Sequence, residues 1–60
     1  MCELKATLNG QRLMEDVVYA KEDGGKVVLR DVLGLTRVME GCRIIEVDVT
    51  SEKLVLGKPQ

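Results

Sequence analysis

The sequence predicts an all-β fold: a small antiparallel sheet of five or six short strands that curls into a barrel. Two observations carry that expectation. Apolar residues recur with the period of a strand rather than a helix. Turn dipeptides also interrupt the chain at short intervals, as they do in small all-β domains.

Taken in order, Cys2–Leu8 alternates strictly, with Cys2, Leu4, Ala6 and Leu8 on one side and Glu3, Lys5 and Thr7 on the other. Asn9-Gly10 follows at once; both residues tolerate the positive φ that a type I′ hairpin turn needs. Gln11 to Asp16 reads as a less regular connection or short strand. Val17–Glu22 is the next strand, with Val17 and Tyr19 expected on one face and Val18 and Ala20 on the other. Asp23-Gly24-Gly25 turns the chain, and Lys26–Val32 returns. Gly34 breaks the pattern, Thr36–Glu40 resumes it, and Gly41 marks a bend or bulge. Cys42–Thr50 reads as the longest strand. Ser51-Glu52 then turns into Lys53–Leu56, and Gly57 to Gln60 forms a polar tail.

At 60 residues there is room for a single small β-barrel domain, residues 1–60, of SH3-like or Sm-like type or a truncated OB-like one. A chain this short buries only about 60% of its unfolded surface. Two cysteines allow at most one internal bridge. With edge strands also left to cover, a homodimer is the expected reinforcement.

The composition narrows function as well. With no histidine, Ser/His and Cys/His nucleophile pairs and imidazole-bound zinc are excluded. A net charge of −1 and a single aromatic residue, Tyr19, speak against nucleic-acid binding. No apolar run approaches the roughly 18 residues of a membrane span. Glu3, Lys5 and Asn9 interrupt any signal-like segment, so a cytoplasmic location is expected. The acidic residues, Glu15-Asp16 included, are dispersed among turns and outward positions and read as solvated surface. No enzyme activity is expected.

Cys2 is the residue with chemistry to offer. It brings together a thiolate, its own amide nitrogen and the nearby terminal amine. Removal of Met1 would place amine and thiolate on one residue, closing a five-membered N,S chelate. Nitrogen and thiolate donors in a plane suit Ni(II) or Cu(II) better than Zn(II). Two such chelates at a dimer axis would complete an N₂S₂ set. Beside this stands the plainer reading of Cys2 as a small apolar residue on the inner face of the first strand. Cys42 reads as a packing residue.

Met1-Cys2 at the head of a short run of strands resembles the CooT family of small nickel-binding proteins. The resemblance continues through Glu15-Asp16-Val17, Gly24–Leu29, Leu29-Arg30-Asp31-Val32, Val38–Gly41 and Ile45-Glu46-Val47-Asp48. It implies a homodimer of small barrels in which Cys2 ligates Ni(II), and a client such as nickel carbon monoxide dehydrogenase. Glu3 and Leu4 depart from the family's habit of an apolar residue and then alanine after the cysteine. The hydrogenase chaperone HypC also opens Met-Cys, but it carries an early proline, and this chain has none before Pro59. Two other functions remain in view. One is a small-barrel RNA-binding module using Arg30, Arg37 and Arg43. The other is a metal-free interaction scaffold presenting Ile44 with Val18.

Overall fold

The computed structural model describes residues 3–58. They form six strands and no helix: β1 (Leu4–Leu8), β2 (Gln11–Asp23), β3 (Lys26–Asp31), β4 (Thr36–Glu40), β5 (Arg43–Asp48) and β6 (Lys53–Gly57). One sheet holds them all in the order β4-β3-β2-β1-β6-β5. Four of its ladders are antiparallel; β1 and β6 run parallel, with Ala6 beside Leu54 and Leu8 beside Leu56. The sheet is therefore mixed. It curls, but among the described residues its edge strands β4 and β5 share no ladder.

Both predicted hairpins form as the turn chemistry requires. Asn9 and Gly10 have φ of 53° and 79°, and Gly24 and Gly25 have 57° and 85°. Two successive positive φ values define the type I′ turn, whose twist matches that of the flanking strands.

The longest strand is β2, with 13 residues, and not the segment beginning at Cys42, where β5 spans only Arg43–Asp48. Gln11 to Asp16 is thus no loose connection but the first half of β2. That half pairs with β1, and the second half pairs with β3. Along its length β2 takes up extra residues against its partners. Its register shifts twice opposite β1, between Leu4 and Ala6 and between Ala6 and Thr7, and once opposite β3, between Val17 and Tyr19. Each bulge adds bend and right-handed twist. Asp16, at φ 58°, sits beside one of them.

The last shift overturns the expected faces of this segment. Val17 is buried, Val18 and Tyr19 are exposed, and Ala20 packs against the core. An extra residue between two inward positions changes their spacing from two to three. In β5 the register also shifts, between Ile44 and Glu46; Ile44 packs inward and Ile45 is exposed.

The core inside the curl is small. Ala6, Val17, Val27, Leu29, Cys42, Leu54 and Leu56 are buried, supported by flanking apolar residues such as Leu4, Leu13 and Met39. Side-chain clasps hold the curl where ladders do not. The Glu22 carboxylate accepts from the Ile44 backbone N–H at the β5 edge, at 2.6 Å. The Arg37 guanidinium of β4 donates to the Leu13 carbonyl of β2 at 2.9 Å.

Candidate functional site

The register gathers several elements at one end of the sheet. Leu4, which opens β1, pairs with Val17, and Val17 pairs with Asp31 at the end of β3. On the other side of β1, Lys5 pairs with Lys53 at the start of β6, and Lys53 pairs with Asp48 at the end of β5. The segment before β1, the 32–35 loop and the turn from Val49 to Glu52 therefore share this end. Cys2 lies outside the described residues. Among the described residues, β1 lies between β2 and β6, which hold Leu4 and Lys5 from both sides. Lys5 adds a backbone bond to Glu52 O at 2.8 Å and a side-chain pair with Glu52 Oε1 at 3.4 Å.

Two turns at this end are built around aspartates. Asp31 Oδ1 accepts from both Leu33 N and Leu35 N at 2.9 Å, while the Gly34 N–H donates to Asp31 O and the Asp31 N–H to Leu35 O. Gly34, at φ 87°, supplies the left-handed residue that lets the chain fold over its own aspartate. Asp48 Oδ1 accepts from Ser51 N at 3.2 Å, and this bond, with further help from Ser51 and Lys53, holds its carboxyl below the ordinary aspartate value. A lowered folded-state value stabilises the turn above the unfolded carboxyl's titration range, and that contribution is lost as pH falls through the folded value. The strongest consequence is for Asp31. Asp31→Ala should cost about 1–2 kcal/mol, because it frees two N–H groups that one carboxylate now satisfies. Thermal unfolding measures the loss, and amide exchange at Leu33 and Leu35 should quicken; unchanged exchange at both would show that the carboxylate does not hold the loop.

Metal ligation draws little on the described residues. Among them no group of three His, Cys, Asp or Glu side chains lies close enough to hold an ion. At this end Asp31 and Asp48 spend an oxygen on backbone N–H groups, and Glu52 pairs with Lys5. Glu3, half-buried, is the described carboxylate nearest Cys2 in the chain. Cys42 is a free buried thiol, 1% exposed, with Sγ donating to Glu40 O at 3.6 Å. It packs, as its sequence context suggests.

The three arginines do not share a face. Arg30 stacks over the Tyr19 ring at 4.7 Å on the outer surface, and Arg37 is tied to Leu13 O. Arg43 lies opposite Gly57, at the other end of the sheet. Nor do Ile44 and Val18 form an exposed pair, since Ile44 packs against the core. What sequence reading missed is the 32–35 loop. Val32-Leu33-Gly34-Leu35 is an apolar run at a strand connection, where polar residues are the rule. That contrast was the available signal.

One family model matches the chain: CO dehydrogenase accessory protein CooT, over residues 1–57. No curated protein matches it.

Proposed function

This chain belongs to the CooT family of CO dehydrogenase accessory proteins, and from that membership we propose that it binds Ni(II) through Cys2 in a homodimer and stores it or passes it to a nickel enzyme. The observation that carries the proposal is the family match, whose span from residue 1 takes in Met1-Cys2. Nickel is the cargo here, not a resident cofactor, and no catalytic step belongs to the chain.

The chemistry of the terminus supports the proposal. A thiolate next to an amine or amide nitrogen makes a compact anionic donor pair suited to a planar d⁸ ion. One chain supplies two such donors, so a second copy completes four. The described strand that follows the terminus gives further support: β1, which begins at Leu4, is hydrogen-bonded on both sides. A ligand set of so few protein atoms holds its ion without enclosing it, which suits delivery.

The test is a Ni(II) titration of the reduced protein, with its native amino terminus verified by mass, followed by ultraviolet–visible absorption. A thiolate-to-nickel charge-transfer band should grow and saturate at one metal per two chains. Binding should strengthen as pH rises through the range in which free thiols lose their proton, about pH 8–9. Saturation at one metal per chain would replace the shared site with one built at a single terminus. Absence of the band would remove nickel from the function.

A further inference from the structure

The sheet ends in two edge strands, and only one of them is guarded. At β5 the Glu22 carboxylate takes the Ile44 N–H at 2.6 Å. The same strand carries an extra residue against β6, between Ile44 and Glu46, and a bulge of this kind twists an edge away from incoming strands. β4 has neither device. Its five residues pair with β3 in unbroken register. Asp31 N to Leu35 O and Gly41 N to Gly25 O bracket that ladder. Alternation then turns the backbone groups of Thr36, Val38 and Glu40 away from β3, toward the open edge. Among the described residues these groups receive one bond, the weak contact from Cys42 Sγ to Glu40 O at 3.6 Å.

The open edge is also held firmly from behind. Arg37 donates to the Leu13 carbonyl, and Met39 packs against the core. A strand already fixed in extended form loses little freedom when it gains a neighbour.

We propose that the β4 edge takes up an extended segment of another protein as an added strand, one with a basic, an aliphatic and an acidic residue at alternate positions. Only a peptide backbone repeats donors and acceptors at the spacing that Thr36, Val38 and Glu40 present. The surface is separate from Cys2, so the proposal holds whether or not the chain carries nickel.

Charge complementarity sets the side chains of the occupant. The register lays three rows across β2, β3 and β4: Tyr19–Arg30–Thr36, Lys21–Val28–Val38 and Asp23–Lys26–Glu40. The first row carries one cation, and the last carries two carboxylates against one lysine. None of the ion pairs among the described residues uses Glu40. An added strand extends each row by one position. A basic residue belongs opposite Glu40, an aliphatic one opposite Val38, which is 48% exposed, and an acidic one opposite Thr36. Antiparallel pairing, the more stable kind, fixes the order as basic, aliphatic, acidic from the amino end of the segment. A second β4 meets these demands poorly. Read antiparallel, it would set a Thr36 against each Glu40, with no cation for the carboxylate.

The test titrates the full chain, reduced and with chelator present, with a blocked synthetic peptide containing Lys-Ile-Val-Thr-Glu, followed by amide NMR. Shifts and slowed amide exchange should gather at Thr36, Val38 and Glu40 and spare β5. The charge-swapped peptide Glu-Ile-Val-Thr-Lys should bind at least about threefold more weakly, as the loss of two cross-strand pairs implies. Val38→Pro removes an edge N–H that the fold does not use, a position where sheets tolerate proline. It should weaken binding at least about tenfold, since one buried partner is left unsatisfied. Circular dichroism verifies folding. Should that variant not fold, Glu40→Lys, a change at an exposed side chain, should reverse the preference between the two peptides. Absence of shifts at millimolar peptide, shifts centred on β5, equal binding of both peptides by the parent, or undiminished binding by Val38→Pro would each overturn the proposal. So would sedimentation showing that Val38→Pro dissociates a dimer of the parent, which would give the edge to a second copy. Cys2→Ser should bind the peptide as the parent does. Because no metal is read, failure here leaves the nickel proposal untouched, and loss of nickel binding leaves this edge standing.

Discussion

Cys2→Ser is expected to lower nickel affinity at least about a hundredfold, since even groups that only support a metal ligand cost 10–100-fold when removed. The substitution keeps size and hydrogen bonding but exchanges a group that ionises near neutral pH for one that stays protonated. A neutral hydroxyl is a poor partner for Ni(II), and the soft sulfur donor is gone. The fold should be indifferent, because Cys2 precedes the first residue of β1 and a hydroxyl replaces a thiol of similar size. A competition titration against a chelator of known affinity measures the effect, with circular dichroism as control. Cys42→Ala gives the opposite signature. It should leave nickel affinity unchanged and lower stability, because Cys42 is buried and belongs to the core. An unchanged dissociation constant for Cys2→Ser would rule out the thiol as donor.

Leu29→Ala is the most damaging single change expected for the fold. Leu29 is fully buried and is one of seven buried core side chains among the described residues. Truncation removes transfer free energy and leaves a cavity, together about 2–5 kcal/mol. Stability of about 0.05–0.15 kcal/mol per residue gives a chain of this length roughly 3–9 kcal/mol in all. The variant should therefore be largely unfolded at 37 °C and show a much lower urea midpoint at 25 °C. Relaxation is limited, since Leu29 sits in a central ladder, opposite Ala20 on β2 and Arg37 on β4. A midpoint within experimental error of the parent would mean that the core lies elsewhere. If the chain dimerises, the midpoint of the parent should also rise with protein concentration.

Much of this fold is legible in local sequence, and the exceptions have definite causes. The two type I′ turns announce themselves because positive φ at adjacent positions restricts residue choice to Asn, Asp and Gly. The inward set of β1 is equally plain, since Leu4, Ala6 and Leu8 alternate without a fault. Period-2 reading fails in β2 because bulges shift its phase; Val17 and Ala20 point inward three residues apart, and a strict alternation assigns Ala20 to the wrong side. From Cys42 to Thr50 the apolar content of Ile45, Val47 and Val49 suggests a buried face, yet Ile45 and Val47 are exposed on the edge strand β5 and Val49 is exposed in the turn after it. The parallel β1–β6 ladder leaves no local trace at all, because nothing in either segment encodes which distant strand lies beside it. For the site, Cys2 stands out through its chemistry alone. The apolar 32–35 loop shows in the sequence only as an apolar run at a strand connection; its exposure needs the structure.

The parallel β1–β6 ladder also bears on how the molecule comes into being. Its partners stand at opposite ends of the chain, and β1 lies in the middle of the sheet. During synthesis β1 can pair with β2 at once, through the Asn9-Gly10 hairpin, but its other edge must wait for β6, which follows after four further strands have begun. Non-local pairing of this kind slows folding, and an open edge on a half-made sheet invites wrong partners. The ladder that secures the second side of β1 thus comes into existence only once Lys53–Gly57 has emerged. A ribosome-bound fragment lacking β6 would present its Met-Cys end on a strand secured along one side alone.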